Sequence, residues 1–575
     1  MTDNLISRLF ASAASHPGKI AFRYLERGEQ VGQELSYQEL AARVTAIGRS
    51  LAAESYRHQR AVLLFAQPLD FIQAFLGCLA AGVTAVPLAV SSLKNLDTLA
   101  GICRDADAAC VIAGTQERQQ LQAALDARTG PLPWHSLEEL LAGASAQVDP
   151  DSGAAGARIA FLQYTSGSTG APKGVMVTHA NLLANGAAIC RGMRMSRDSV
   201  FVSWLPHYHD MGLIGNLLQP IYLGASSTLM RPIDFIQKPI RWLRAVSDFG
   251  ATISGGPNFA FDLCVDKITE EQRAGLDLAK WEVAFTGAEP VKAATVARFA
   301  QAFARCGLRA GAIYPCYGMA ESTLFITGGH VGTAAPIKHF KADSLTIGKS
   351  VAESEPDLPE SLPFVSCGQP HGGEQLRIVH PDTHLSLLAG YVGEIWLRGE
   401  SNAVGYHGHA DASERSFGAR VIGDSGGAFL RTGDLGTIED GHLYILGRLK
   451  DVLIVRGRNY YPQDIESAAQ AAHYALAPNG GAVFQRAVPH DEQLVLVHEL
   501  TRQGMRDANL EQIGEAVRGA VIAEHGIALA KIVLIKPGQL PRTTSGKVRR
   551  NLCREMFERQ ELLDVGSPEA EEIEP

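Results

Sequence analysis

The chain has 575 residues, 46% hydrophobic and 20% charged, with a formal net charge of −9. That length is too great for one hydrophobic core, so at least two domains are expected. The negative balance gives no electrostatic footing for nucleic acid or an anionic membrane surface, and nine scattered cysteines without a C-x-x-C pair point to a reducing cytoplasm and away from structural zinc.

Met1 to Ser15 lacks a cationic start followed by a long apolar run, so no signal peptide is expected. The most apolar region, Ala61 to Val90, is broken by Pro68, Asp70 and Gly82 and is unsuited to crossing a bilayer. Asn4 to Ser15 reads as a helix and Ile20 to Tyr24 as a strand. Ser36-Tyr-Gln-Glu39 has the form of a capping box, opening a helix to about Ala53. A strand at Ala61–Phe65, a helix at Leu69–Ala81 and a strand at Ala85–Val90 follow. This β-α-β alternation predicts a parallel sheet with helices on its faces. Gln116 to Leu125 is another helix, and Asp149 to Ala157 a small, polar loop.

The next stretch organises the chain: Tyr164-Thr-Ser-Gly-Ser-Thr-Gly-Ala-Pro-Lys-Gly174. A buried-strand pattern precedes it (Ile159 to Tyr164) and a second strand follows it (Val175 to Val177). Gly167 and Gly170 allow the backbone N–H groups to turn one way, while Ser166, Ser168 and Thr169 add donors and Lys173 a positive charge. With Thr165, these groups make a cradle for a polyanion, above all a triphosphate. A Walker A loop needs Gly-Lys-Ser/Thr opening a helix, whereas here Pro172 precedes the lysine. The bland reading, a Ser/Gly-rich linker, accounts for neither the lysine after proline nor the flanking strands.

Thr178 to Cys190 is helical, with His179 and Asn181 near its start. Ser203-Trp-Leu-Pro-His-Tyr-His-Asp-Met-Gly-Leu213 is poor helix material and reads as a loop entering a helix over Met211–Leu218. Its histidines, His207 and His209, are binding groups or a satisfied surface pair; a metal would need a third ligand nearby. Val283 to Thr286 is a buried strand ending in Gly287-Ala288-Glu289, with Pro290 placed near the first turn of a helix. Tyr317-Gly318-Met319 and Glu321 follow, an aromatic ring and a carboxylate that also suit an ordinary core residue beside a helix start. Residues 334–363 form a proline-rich, acidic excursion read as long and irregular. Asp343-Ser344-Leu345 within it matches a carrier-attachment tripeptide, but no carrier-domain pattern surrounds it.

Strands at Phe364–Gly368, Leu376–Val379 and Gly393–Leu397 suggest a small β subdomain. Asp434 is read in a turn beside Gly433, placed to accept both hydroxyls of a ribose or simply closing a hairpin. Charges cluster at Gly447-Arg-Leu-Lys-Asp451, the expected domain boundary. Beyond it, strands at Val483–Phe484, Leu494–Glu499 and Lys531–Ile535 with a helix at Leu510–His525 give an α+β lobe. Pro541-Arg-Thr-Thr-Ser-Gly-Lys-Val-Arg-Arg550 is an exposed basic turn, and the acidic tail 566–575 reads as disordered.

Taken together, these motifs resemble the adenylate-forming superfamily: acyl-CoA synthetases, luciferases, peptide-synthetase adenylation domains and fatty acyl-AMP ligases. The resemblance covers about residues 4–555. It implies an α/β fold with a large N-terminal domain (1–449) of two parallel-sheet subdomains and a small β subdomain, then a small mobile α+β domain (450–575). It implies that residues 165–170 hold the phosphates of ATP, with Lys173 beside them. Gly287, Ala288, Glu289, Tyr317, Gly318 and Met319 line the adenine site, Asp434 and Arg448 hold the ribose or α-phosphate, and Glu321 holds Mg²⁺. His209 lies at the acyl pocket, Lys450 is the hinge, and Lys547 is the catalytic lysine.

The His207–Gly212 form, the 334–363 excursion and Arg456/Arg458, where synthetases keep glycines, are similar to fatty acyl-AMP ligases. The implied reaction is ATP-dependent formation of a fatty acyl-adenylate, then transfer to the phosphopantetheine thiol of a separate acyl carrier protein. An acyl-CoA synthetase is the alternative enzyme, and an inactive acyl-nucleotide-binding protein the alternative of another class.

Overall fold

The computed structural model describes residues 3–90, 96–143, 158–165, 172–358, 360–455, 458–488, 491–507, 509–543, 546–562 and 564–565. The phosphate-loop residues Ser166, Gly167, Ser168, Thr169 and Gly170, the 149–157 loop, Arg456 and the 566–575 tail therefore lie outside the described residues.

Two large sheets carry the N-terminal part. A six-stranded sheet runs Trp134–Ser136, Cys110–Ala113, Arg60–Leu64, Thr84–Leu88, Ile159–Thr165 and Lys173–Thr178; it is parallel except for the last strand. The central strands of a nine-stranded sheet, including Val200–Ser203, Ile253–Gly256, Val283–Thr286 and Ile313–Gly318, are likewise parallel. The helix Pro68–Ala81 is apolar at every position but Asp70 and Gln73, and buried at every position but Asp70. One continuous core joins residues of both sheets, among them Leu63, Phe161, Phe22 and Phe201. The alternation read from the sequence thus yields the expected α/β class. The capping box is also present: Ser36 Oγ accepts from the Glu39 amide, and Glu39 accepts from the Ser36 amide.

A four-stranded antiparallel sheet (Gln375–Val379, Gly393–Arg398, Leu430–Glu439, His442–Arg448) forms the small β subdomain. Asp434 lies within its third strand, not in a turn. Gly433 adopts a left-handed φ of 71° at the register shift between the Glu394 and Trp396 pairings, so the motif is a bulge inside a ladder.

The 334–363 excursion is also more regular than its prolines suggest. Ile337–Lys341 pairs antiparallel with Ser361–Val365 over five residue pairs. Phe340, Leu345 and Phe364 from this hairpin pack with Leu435, Tyr444 and Leu446 of the β subdomain, and with Tyr461 beyond it. Ser344 Oγ is spent on local bonds to the Lys341 carbonyl and the Ala352 amide, a turn role.

From Leu453 onward, a three-stranded sheet (Leu476–Val488, Asp491–Leu500, Lys531–Ile535) packs with helices Pro462–Ala471 and Leu510–His525 around its own core. Among the described residues no helix is long and apolar enough to cross a membrane.

Candidate active site

The parallel strands of the nine-stranded sheet end at one cavity of about 1650 Å³, whose lining includes residues of the β subdomain and of the C-terminal lobe. Ligand sites in open α/β sheets collect at such carboxyl ends, where loops diverge.

Thr165 pairs with Lys173 and Tyr164 with Gly174, so the strands on either side of positions 166–171 are joined in one ladder. Thr165 and Lys173 line the cavity, and Lys173 Nζ sits 5.3 Å from the Tyr406 ring centre.

The strand Val283–Thr286 delivers Gly287, Ala288 and Glu289 to the cavity region. A Cβ on Gly287 would stand 2.7 Å from the Cys316 carbonyl, so only glycine fits there. Ala288 takes a left-handed φ of 70°, a strained choice for alanine held by its surroundings. Glu289 does not point freely at a ligand: its Oε1 accepts from the Asn258 amide at 2.9 Å. Pro290 lies outside the helix, which begins at Ala293 with Lys292 as cap.

Tyr317 and Gly318 close the strand Ile313–Gly318, and Met319 turns back to bond the Leu324 carbonyl through its amide at 2.9 Å. The Tyr317 hydroxyl donates to Asp434 Oδ2 at 2.7 Å. Asp434 Oδ1 lies 3.4 Å from Arg448 Nε. These side chains, from two different sheets, therefore form one linked chain along the cavity wall. Burial and the adjacent Asp434 carboxylate push the Tyr317 phenol far above its ordinary range, so it remains a donor.

Glu321 follows in a short 3₁₀ turn, and its Oε1 accepts from the Tyr406 hydroxyl at 3.0 Å. Burial raises its pKa against the opposing pull of its hydrogen bonds and of Arg448.

The two histidines part company. His207 is buried; its Nε2 bonds the Phe65 carbonyl at 2.9 Å, and its ring lies 4.6 Å from that of Phe71. Desolvation lowers its pKa to about 4, so it is a neutral core group. His209 lines the cavity and contacts Asp210 at 2.6 Å. The predicted helix beyond is a short α-turn followed by a π-helix over Leu213–Leu218. Such wide turns are concentrated at functional sites. Apolar side chains of Ile189, Met193, Met195, Leu324 and Phe325, with Gly215, line the same cavity.

The Pro541–Arg550 turn faces inward. It is closed by a bond from the Thr543 amide to the Lys547 carbonyl at 2.7 Å, with Gly546 at a φ of 88°. Burial and then Arg448 push the Lys547 ammonium below its ordinary pKa, against the pull of Asp210, Glu289 and Asp434. Those neighbours place the amine in the cavity near Arg448 and Asp434. Lys450, at the edge of the same cavity, is lowered by burial, Lys173 and Arg448. Lys292 Nζ donates to Asn479 Oδ1 at 3.1 Å, joining the large N-terminal part to the C-terminal lobe. Tyr406 is the residue at this site that sequence reading missed; its place follows from a bridge to Val175, far away in the chain.

Residues 9–407 match the family described as AMP-binding enzyme, and residues 450–565 match the Disco-interacting protein 2-like AMP domain. The chain is 38% identical over 546 residues to the medium-chain-fatty-acid–[acyl-carrier-protein] ligase JamA of Moorena producens, covering 93% of this chain and 92% of that one. It is 34% identical to the long-chain-fatty-acid–AMP ligase FadD26 of Mycobacterium marinum, covering 97% and 98%. The fatty acyl-adenylate ligase of Legionella pneumophila, solved with acyl adenylate and pyrophosphate, superposes with a TM-score of 0.76 at 36% identity, covering 96% of each chain. With Tyr317, Asp434 and Arg448, an inward lysine and an apolar wall in one cavity, and with this likeness along nearly its whole length, the chain belongs to the AMP-binding enzyme family, among the fatty acyl-AMP ligases.

Proposed function

We propose that the chain activates a fatty acid with ATP and passes the acyl group to the phosphopantetheine thiol of a separate acyl carrier protein. The observation that carries this reading is the convergence of Lys547, Asp434, Arg448 and Glu321 on a cavity that also has an apolar arm. Both reactants are anions, so the site must supply positive charge and alignment rather than a nucleophilic side chain.

In the first half-reaction a carboxylate oxygen of the fatty acid attacks the α-phosphorus. The bond from that phosphorus to the bridging oxygen breaks, and pyrophosphate leaves. Lys547 neutralises charge between carboxylate and α-phosphate; Lys173 and the 165–170 loop hold the β- and γ-phosphates. Tyr317, Gly318, Met319 and the Gly287-Ala288-Glu289 strand end enclose the adenine, and Asp434 with Arg448 holds the ribose. His209 stands at the carboxylate end of the acyl channel. In the second half-reaction the carrier's sulfur attacks the acyl carbon, the acyl–oxygen bond breaks, and AMP leaves.

Among the described residues, no group of three or more His, Cys, Asp or Glu is placed to hold a metal unaided. A cation sharing phosphate oxygens needs only one or two carboxylates, and Glu321, with Oε1 engaged by Tyr406, fits that requirement. Bound there on the triphosphate, Mg²⁺ would offset phosphate charge.

Residues 1–449 and 450–575 act as two domains in this reading, with Lys450 the hinge between half-reactions. The excursion hairpin packs against both the β subdomain and Tyr461, and in this reading it restricts the approach of free CoA while a docked carrier still reaches the site. The deciding experiment is mass spectrometry of products from a panel of fatty acids with ATP, alone, with CoA and with a loaded-arm carrier protein. Acyl-AMP throughout and acyl transfer to carrier are expected; acyl-CoA formed as fast as pyrophosphate would favour the synthetase instead.

A further inference from the structure

The segment that follows the β-subdomain strand Gly393–Arg398 is laid as a strap along the phosphate-loop hairpin. Its backbone bonds run edge to edge with the strand Lys173–Thr178: Met176 N to Gly405 O at 2.9 Å and His407 N to Gly174 O at 2.8 Å. At one end, the Ala403 amide bonds the carbonyl of Glu321 itself at 2.9 Å. At the other, His409 Nε2 lies 3.0 Å from Asp105 Oδ1, and Asp105 Oδ2 accepts from the Tyr164 hydroxyl at 2.6 Å. Tyr164 is the residue that leads into the phosphate loop. Tyr406 stands in the middle of this doubly anchored strap.

Its side chain meets two functional groups at once. The hydroxyl donates to Glu321 Oε1 at 3.0 Å, and the ring face lies 5.3 Å from Lys173 Nζ. A charge-assisted bond fixes one carboxylate oxygen and leaves the other to a ligand. A cation held over an aromatic face loses the freedom of a long stem. The T-shaped contact with Phe417, at 5.3 Å, prevents the ring from turning away.

We propose that Tyr406 is a positioning residue of this site: its hydroxyl orients Glu321 for the metal-bearing phosphates while its ring seats Lys173 for the same triphosphate. This rests on the adenylation reading and extends it to a residue outside the motifs that carry that reading. The two contacts are separable by substitution. Tyr406→Phe keeps the ring and deletes the hydroxyl; Tyr406→Leu deletes both.

The test is calorimetry of the full chain with three ligands: ATP with Mg²⁺, ATP with chelator, and AMP. Tyr406→Phe is expected to weaken Mg²⁺-ATP by about tenfold, the scale of a hydrogen bond to a charged group, and to leave chelated ATP and AMP within about twofold. Tyr406→Leu is expected to weaken chelated ATP as well, through Lys173. Unchanged Mg²⁺-ATP affinity in Tyr406→Phe, an equal loss for all three ligands, or ATP binding by the wild type that ignores Mg²⁺ would overturn the proposal. If the wild type binds Mg²⁺-ATP but releases no pyrophosphate with any fatty acid, the activity reading fails, while the titrations still decide the role of Tyr406.

Discussion

The Tyr461 hydroxyl donates to the Leu345 carbonyl at 3.3 Å, tying the excursion hairpin to the residue that caps the first helix of the C-terminal lobe. The ring beneath that bond is 3% exposed and packs with Phe340 and Phe364. It also lies against Gly447, where an added Cβ would come 2.6 Å from Tyr461 Cδ1. One aromatic side chain thus touches the excursion, the last strand of the β subdomain and the start of the lobe that carries Lys547.

Tyr461→Ala is expected to loosen that junction. Truncating a buried aromatic costs about 3–5 kcal/mol when the site does not collapse, which calorimetric melting would register as a lower Tm. If the excursion restrains thiol access through this contact, the variant also yields acyl-CoA above the wild-type level by mass spectrometry. Tyr461→Phe, which keeps the packing, should resemble the wild type in products. A destabilised Tyr461→Ala with unchanged products would separate the packing from the choice of thiol.

Lys547→Ala should abolish most adenylate formation and leave ATP binding measurable. The ammonium acts on charge that develops at the α-phosphate, so its loss costs on the order of 3 kcal/mol in the transition state, a rate effect of roughly 10²-fold. Pyrophosphate release and nucleotide titration on the same preparation check both halves. Near-normal release would remove Lys547 from the chemistry.

Where signals were local, the sequence was a sound guide. The Ser36/Glu39 box, the helix Leu510–His525 and the strand Lys531–Ile535 are legible because a cap or a short period sets them. Gly-Asp usually marks a turn, which is what the sequence suggests for Asp434, while in the structure cross-strand pairing to Arg448 carries the ladder through a glycine bulge. The excursion hid its hairpin because Ile337–Lys341 finds its partner only at Ser361–Val365, and neither strand alternates strongly. His207 and His209 look equivalent in sequence. A distant carbonyl, that of Phe65 just beyond the strand Arg60–Leu64, selects the first for the core. Tyr406 left no local mark, since both functional groups it meets lie far away in the chain.

His207 sets an acid limit on stability. Its folded pKa of about 4 lies below the ordinary 6.5, so the unfolded chain binds the proton more readily. The group's contribution is fully present above pH 6.5 and is lost as pH falls from there through 4. It amounts to at most about 3 kcal/mol over that window. His207→Gln, which retains a donor for Phe65, should flatten the dependence of Tm on pH in this range while lowering Tm at neutral pH. An unchanged slope would place the acid sensitivity elsewhere.

Lys450→Pro should spare adenylation more than transfer. Lys450 lies just beyond the strand His442–Arg448, and proline would fix φ there and hinder rotation of the lobe. Pyrophosphate release and carrier acylation, measured separately, test it; equal loss in both would move the hinge to another residue.

Gly215 should govern how long a chain the acyl channel accepts. It lies in the π-helix Leu213–Leu218, lines the cavity, and an added Cβ would sit 3.4 Å from Leu324 Cδ2. A methyl therefore fits at ordinary contact distance, and anything larger enters the space between Leu324 and the channel. Gly215→Ala should keep the wild-type order of preference among fatty acids. Gly215→Phe should shift pyrophosphate release toward shorter acids, with each excluded methylene removing on the order of 0.8 kcal/mol of burial from the longer substrates. The KM for ATP should stay unchanged, because an added Cβ at Gly215 meets Leu324 and neither Tyr317 nor Asp434 within 4 Å. A Gly215→Phe enzyme with the same chain-length profile would show that the acyl chain runs along another wall, and a loss shared equally by short and long acids would indicate a folding defect instead.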